Sequence, residues 1–130
     1  MRALVVDDSA TIRLLLNRIL GSFGYEVHCA SGGTEALHYL STGAVPDLFL
    51  FDWNMPDVTG LDLVKTVREQ ARFGASRILM VTSETDQELM RYALEAGASD
   101  YLMKPVNAGN LAQKLERMGM PREAEPGDGR

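Results

Sequence analysis

One uninterrupted apolar segment, Leu48–Phe51, runs directly into Asp52 and constrains the fold of this chain more than any other feature. An apolar segment this short, without alternation, is typical of a strand buried on both faces of a parallel sheet. Pro46 precedes the segment and Pro56 follows it, so we expect Asp52 where the buried strand gives way to a loop. Open α/β sheets bind ligands at that carboxyl edge. A carboxylate there needs a partner or a function, which makes Asp52 the candidate reactive group.

The composition is that of one globular domain without membrane spans. The chain has 130 residues, of which 45% are hydrophobic and 24% charged, and its net charge of −5 argues against a nucleic-acid-binding surface. Cys29 is the single cysteine, so an intrachain disulfide is excluded and a structural thiol is predicted. His28 and His38 lack metal-ligand spacing with it. No apolar run approaches about 18 residues and the N-terminus lacks a signal-peptide pattern, so we expect a cytoplasmic protein without a membrane partner.

Strand and helix patterns alternate along the whole chain with short connections. The predicted strands are 3–6, 25–30, 48–51, 77–81 and 99–103, and the predicted helices are 11–20, 34–40, 61–73, 86–96 and 107–118. This alternation predicts an α/β domain over residues 1–118, with a mostly parallel sheet covered by helices on both faces. Residues 119–130 are rich in proline, glycine and charge, and we predict that they form a disordered tail.

Polar residues follow four of the predicted strands. Right-handed crossovers place the carboxyl ends of all parallel strands at one edge of the sheet. Asp7-Asp8 follow the first strand, Asp52 the third, Thr82 the fourth and Lys104 the fifth. Each has an ordinary alternative explanation, since the paired aspartates could cap a helix, Asp52 could be a loop aspartate, Lys104 a solvated lysine and Thr82 a simple strand end. Their joint occurrence at one predicted edge favours a single site.

The charges of this site indicate a cation and an anionic ligand. Two carboxylates about 4 Å apart repel by roughly 4 kcal/mol at an effective dielectric constant near 20, and one lysine does not balance three of them. An all-oxygen donor set suits Mg²⁺, with Mn²⁺ as an alternative. A metal ion and Lys104 around Asp52 could then accept a phosphoryl group, since aspartate is a known covalent phosphoryl acceptor. Thr82 could donate its hydroxyl to a phosphoryl oxygen.

Four motifs carry a resemblance to a known family. They are Val5-Val6-Asp7-Asp8-Ser9, Asp52-Trp53-Asn54-Met55-Pro56 with Gly60, Val81-Thr82-Ser83, and Ala96-Gly97-Ala98 leading to Tyr101 and Lys104-Pro105. Over roughly residues 2–118 the chain resembles a response regulator receiver domain of two-component signalling, in particular the single-domain chemotaxis-type regulator. The resemblance implies a flavodoxin-like, doubly wound sheet of five parallel strands in the order 2-1-3-4-5 with five helices, and this order is taken from the family.

The resemblance also implies the residues that bind phosphate and metal. Asp52 would be the phosphoacceptor. Asp8 and Asp52 would bind Mg²⁺ through their carboxylates, Asn54 through its backbone carbonyl, and Asp7 directly or through water. Lys104 would contact the phosphoryl group.

The resemblance has further implications for the response of the domain to phosphorylation and for partner binding. The peptide bond between Lys104 and Pro105 would be cis, which proline tolerates. Thr82 and Tyr101 would form a switch pair that responds to phosphorylation. Val106 departs from the family, because many members have an aromatic residue after the proline, and the departure bears on partner binding and not on the chemistry.

The function implied by the resemblance is that of a signalling switch and not of an enzyme in the usual sense. Such a domain receives its phosphoryl group from a histidine kinase or a phosphotransfer protein, and it assists only its own phosphorylation and dephosphorylation. We expect the output to be binding of a downstream target protein, by a monomer that has no nucleic-acid partner.

Two other protein classes share part of the pattern. A flavodoxin-like electron carrier has the same fold, but it needs a Ser/Thr/Gly-rich phosphate cradle where this chain has Asp7-Asp8. An aspartate-based phosphatase also forms an acyl phosphate with Mg²⁺, but it is expected to carry a second acid where this chain has Asn54. A yellow colour of the purified protein would indicate the first class, and turnover of an external phosphate ester would indicate the second.

Overall fold

Five parallel strands form the centre of the fold in the order β2-β1-β3-β4-β5, which confirms the predicted fold class and strand order. The computed structural model describes residues 1–120, and no helix in that range is long and apolar enough to cross a membrane. The strands are β1 (Arg2–Val6), β2 (Glu26–Ala30), β3 (Leu48–Phe51), β4 (Arg77–Thr82) and β5 (Asp100–Met103). The helices are α1 (Ala10–Ser22), α2 (Gly33–Leu40), α3 (Gly60–Arg68), α4 (Gln87–Ala96) and α5 (Ala108–Arg117).

Two hydrophobic layers cover the sheet, because successive side chains of a strand point to opposite faces. In β3, Leu48 and Leu50 face the layer made by α1 and α5, whereas Phe49 and Phe51 face the layer made by α2, α3 and α4. All four side chains of β3 are at most 1% exposed. The strand that leads to Asp52 is therefore buried on both faces, as its unbroken apolar sequence predicts.

The third helix ends earlier than the sequence pattern predicts. The pattern extends to residue 73, but α3 ends at Arg68 and a 3-10 turn follows at Ala71–Phe73. The Arg68 guanidinium donates to the backbone carbonyls of Phe73 at 2.9 Å, Ser76 at 2.8 Å and Gly97 at 2.9 Å. These bonds hold the chain in a turn, and the Phe73 ring at the end of this turn is fully buried in the core.

Two residues beyond the predicted boundary at residue 118 pack against the domain. Gly119 has a φ of +76°, in the left-handed region that glycine adopts after a helix. The N–H of Met120 then donates to the carbonyl of Leu115 at 2.8 Å, and the Met120 side chain is 5% exposed in the layer of α1 and α5. Gly119 and Met120 thus continue the packed structure after α5, and residues 121–130 of the predicted tail lie outside the described residues.

Candidate functional site

The predicted site residues meet at the carboxyl edge of the sheet. Asp7 and Asp8 follow β1, Asp52 follows β3, Thr82 is the last residue of β4 and Lys104 follows β5. Asp7, Asp8 and Asp52 form an acidic cluster, in which one carboxylate oxygen of each lies within 4.8 Å of the others. Asp7 and Asp52 are 1% and 7% exposed, whereas Asp8 is exposed. The cluster therefore opens to solvent on the side of Asp8.

Lys104 pairs with two members of the acidic cluster. Its Nζ lies 3.0 Å from Oδ2 of Asp7 and 3.3 Å from Oδ2 of Asp52. Burial opposes the charge of the ammonium group, but the two carboxylates outweigh burial and raise the pKa of Lys104 above its ordinary value. The peptide bond between Lys104 and Pro105 is cis. Lys104 therefore carries a positive charge at neutral pH beside both buried carboxylates.

The two oxygens of Asp7 have different partners. Oδ1 accepts a hydrogen bond from the N–H of Ser9 at 2.9 Å. Oδ2 is buried and contacts Lys104, but among the described residues no donor reaches it with hydrogen-bond geometry. Burial raises the pKa of Asp7 and the charge of Asp52 adds to the rise, while the Ser9 N–H and Lys104 act against it. Ionised Asp7 is therefore costly unless a further cation approaches Oδ2.

The loop after Asp52 fixes the orientation of its carboxylate. Oδ1 of Asp52 accepts the N–H of Trp53 at 2.7 Å, and the carbonyl of Trp53 accepts the N–H of Gly60 at 2.8 Å. A Cβ atom at Gly60 would overlap the backbone oxygen of Asp52, so this close approach requires glycine. Asn54 is exposed, and the role of its backbone carbonyl as a metal ligand stays a prediction of the family resemblance.

Thr82 and Tyr101 lie on the same face of the sheet. Alternation along β4 places Thr82 on the face of Met80, and the register pairs Met80 with Tyr101. Thr82 and Tyr101 are thus diagonal neighbours on adjacent strands. The Thr82 side chain is fully buried, and its Oγ1 accepts the N–H of Glu84 at 3.0 Å.

Tyr101 is half-buried beside an ion pair that the sequence did not suggest. Nζ of Lys114 lies 5.4 Å from the centre of the Tyr101 ring and 3.3 Å from Oδ1 of Asp100. The Lys114 ammonium, on α5, thus lies within cation–π distance of the Tyr101 ring. Its carboxylate partner, Asp100, directly precedes Tyr101 in the chain.

Two side chains outside the predicted site residues bond to backbone groups, one at Asp7 and one at the start of α2. Nη1 of Arg13 donates to the backbone carbonyl of Asp7 at 2.8 Å, and Asp57 accepts from backbone N–H groups at the start of α2. A signal for Asp57 was available, because Gly32-Gly33 begin that helix without a capping side chain. For Arg13 we find no sequence signal beyond its place one turn after Ser9.

Comparisons with known proteins place the chain in one family. Residues 3–116 match the family described as the response regulator receiver domain. The chain is 43% identical over 117 residues to the chemotaxis protein CheY1 of Helicobacter pylori, covering 89% of this chain and 94% of that protein. It is 37% identical over 119 residues to the chemotaxis protein CheY of Pseudomonas aeruginosa, covering 91% and 95%.

The fold leads to the same family. The structure of the chemotaxis response regulator CheY4 of Vibrio cholerae is similar with a TM-score of 0.83 at 39% identity, covering 90% of this chain and 97% of that one. A CheY-like receiver domain protein of Methanospirillum hungatei is similar with a TM-score of 0.82 at 34% identity, covering 91% and 93%. The chain belongs to the response regulator receiver domain family, and its relatives include the CheY chemotaxis proteins.

Proposed function

We propose that this receiver domain is a phosphoacceptor switch in which Asp52 takes a phosphoryl group from a phosphohistidine of a histidine kinase or a phosphotransfer protein. The observation that carries the proposal is the placement of Lys104 within 3.3 Å of Oδ2 of Asp52, inside the acidic cluster. In the transfer, one carboxylate oxygen bonds to phosphorus while the phosphorus–nitrogen bond breaks, and its electron pair stays on the imidazole. The charge of Lys104 then stabilises the phosphoryl oxygens.

The acidic cluster fits Mg²⁺, with Mn²⁺ as an alternative. Its donors are all oxygen atoms, and Oδ2 of Asp7 is buried without a well-directed donor, which a cation would satisfy. Under this proposal Asp8 and Asp52 bind the ion through carboxylates, Asn54 through its backbone carbonyl, and Asp7 directly or through water. The bound ion supplies positive charge that neutralises the incoming phosphoryl oxygens.

The surroundings of Asp52 are organised before a donor binds. The N–H of Trp53 holds Oδ1, while Oδ2 is turned towards Lys104. A carboxylate fixed in this way needs little reorganisation during transfer, which lowers the barrier relative to a freely rotating side chain.

Thr82 and Tyr101 are the residues we propose to carry the signal from the site. The Thr82 hydroxyl would donate a hydrogen bond to a phosphoryl oxygen, and the Tyr101 ring would turn from half-buried to buried. One charge-assisted hydrogen bond contributes about 1.5–3 kcal/mol, which shifts a two-state population roughly tenfold to a hundredfold. The surface of α4, β5 and α5 would change with the ring and bind a downstream target protein.

Receiver domains are signalling proteins, and the proposed reaction has no separate substrate. Under this proposal the domain assists its own phosphorylation and dephosphorylation and works as a cytoplasmic monomer.

Mapping of the modified residue tests the proposal. The protein is treated with acetyl phosphate and Mg²⁺, and the acyl phosphate is then reduced with borohydride, which converts a phosphorylated aspartate into homoserine. Peptide mass spectrometry is expected to find homoserine at position 52. Homoserine at Asp7 or Asp8, with Asp52 unmodified, would contradict the assignment.

A further inference from the structure

The second helix obtains its N-terminal cap from another part of the chain. The first N–H groups of a helix have no acceptor within the helix, and Gly32, at the N-cap position of α2, has no side chain to offer one. Asp57, in the loop between β3 and α3, provides it. Its Oδ1 accepts the N–H of Gly33 at 3.0 Å, and its Oδ2 accepts the N–H of Thr34 at 2.7 Å.

The Asp57 carboxylate also accepts a hydrogen bond from within its own loop. Oδ1 of Asp57 accepts the N–H of Val58 at 2.8 Å. A Cβ atom at Gly33 would overlap the Val58 side chain, and one at Gly32 would lie 3.1 Å from Oδ1 of Asp57. The loop therefore approaches the start of α2 more closely than side chains at positions 32 and 33 would allow.

Asp57 is suited to this contact by its charge. Hydrogen bonds from the hydroxyl and the N–H of Thr34, with further bonds from Gly33 and Val58, hold the pKa of Asp57 well below its ordinary range. The carboxylate is therefore ionised at neutral pH, and its negative charge faces the positive end of the α2 dipole.

We infer that Asp57 is a positioning residue for the metal site, because it ties the loop of residues 53–59 to α2 and thereby fixes the Asn54 backbone carbonyl beside Asp52. The loop is already fixed at one end, where the N–H of Asp52 donates to the carbonyl of Val6 at 3.1 Å. It is fixed at the other end by the bond from the N–H of Gly60 to the carbonyl of Trp53. The contact of Asp57 with α2 supplies the attachment between those ends. The inference rests on the proposed Mg²⁺-dependent function.

The ordinary alternative is that Asp57 only caps α2, and a pair of variants separates the two roles. Asp57→Ala removes both the cap and the loop attachment. Adding Gly32→Ser supplies a cap from within α2 but does not restore the attachment, and it is sterically suited because the φ of Gly32 is −172° and the Asp57 carboxylate that crowds this position is gone. Asp57→Asn keeps an acceptor and serves as the conservative variant.

The measurements are the Mg²⁺ dissociation constant, followed by Trp53 fluorescence, and the melting temperature. We expect Asp57→Ala to weaken Mg²⁺ binding severalfold and to lower the melting temperature. The double variant should recover the melting temperature while Mg²⁺ binding stays weak, and Asp57→Asn should lie between wild type and Asp57→Ala. Asp86→Ala, which removes the side-chain cap of α4, is a matched control that should melt lower but bind Mg²⁺ like wild type.

Wild-type Mg²⁺ affinity in the Asp57→Ala variant or in the double variant would overturn the positioning role and leave Asp57 as a helix cap. The failure of the proposed function looks different, because wild type itself would then show no saturable response to Mg²⁺, and both proposals would be overturned.

Discussion

The ammonium of Lys104 lies closer to Asp7 than to the proposed phosphoacceptor, with Nζ 3.0 Å from Oδ2 of Asp7 and 3.3 Å from Oδ2 of Asp52. Lys104 is therefore shared between two buried carboxylates. A lysine in this position stabilises the acidic cluster in the resting protein, and under the proposed function it would contact a phosphoryl group on Asp52. Under the proposed function, the same residue would contribute both to the stability of the domain and to phosphoryl transfer.

Replacement of Lys104 by methionine should destabilise the protein. Lys104→Met leaves the carboxylates of Asp7 and Asp52 without their ammonium partner, and an unpaired buried charge is costly. We expect a loss of about 1–3 kcal/mol in the free energy of unfolding at neutral pH, less than for a fully buried pair because the Lys104 side chain is 18% exposed. Urea unfolding of wild type and variant in the presence of a chelator measures this difference in the free energy of unfolding. Unchanged stability would show that the ion pairs contribute nothing.

Asp7 should make the free energy of unfolding depend on pH in the acid range. The pKa of Asp7 is raised above its ordinary value of 3.8. At a pH between these two values, the folded state retains a proton that the unfolded state has lost. Stability from this group therefore falls as the pH rises from about 3.8 through the raised pKa. Asp7→Asn should be more stable than wild type above this window in chelator, and the difference should close below it. A difference that grows towards acid pH would contradict the assigned shift.

Mg²⁺ should stabilise the wild-type protein through the acidic cluster. At 100 times its dissociation constant a ligand of the folded state contributes about 2.7 kcal/mol. Asp8→Asn or Asp52→Asn should raise the metal-free stability by roughly 1 kcal/mol, because repulsion is reduced, and should lose most of the gain from Mg²⁺. Thermal melts with and without Mg²⁺ provide the measurement. Variants that melt lower without metal and respond to Mg²⁺ as wild type does would exclude a repelling cluster.

Thr82 should be needed for the response of Tyr101 and not for phosphorylation. Thr82→Ala removes the hydroxyl that we propose to bind a phosphoryl oxygen, while Asp52 and Lys104 remain. The variant should accept a phosphoryl group and show a weaker change at Tyr101, followed by NMR of the ring with and without a phosphoryl mimic. Thr42→Ala, at an exposed threonine near the opposite edge of the sheet, should respond like wild type. An unchanged Tyr101 ring in the wild-type protein would remove this residue from the mechanism.

Much of the fold follows from local patterns in the sequence. The unbroken apolar segment before Asp52 predicts a strand buried on both faces, and the alternation of elements predicts a parallel sheet with its polar strand ends at one edge. The order of the strands does not follow from alternation alone, since several orders satisfy right-handed crossovers, and only the family resemblance implies it.

Contacts between distant segments account for what the sequence did not predict. The early end of α3 depends on bonds from Arg68 to carbonyls as far away as Gly97, and the cap of α2 depends on Asp57 in another loop. The sequence predicts a tail at Met120 because no local pattern shows that this side chain packs against the layer of α1 and α5. Such pairings leave no periodicity within a short window of sequence.

The transfer of a phosphoryl group to Asp52 is tested most directly by intact-mass analysis after treatment with acetyl phosphate and Mg²⁺. Wild type is expected to gain the mass of one phosphoryl group, and the gain should disappear when a chelator replaces Mg²⁺. Asp52→Asn keeps the size of the side chain but lacks the nucleophilic carboxylate, so it should show no adduct under the same conditions. An adduct of equal yield in Asp52→Asn would contradict the account.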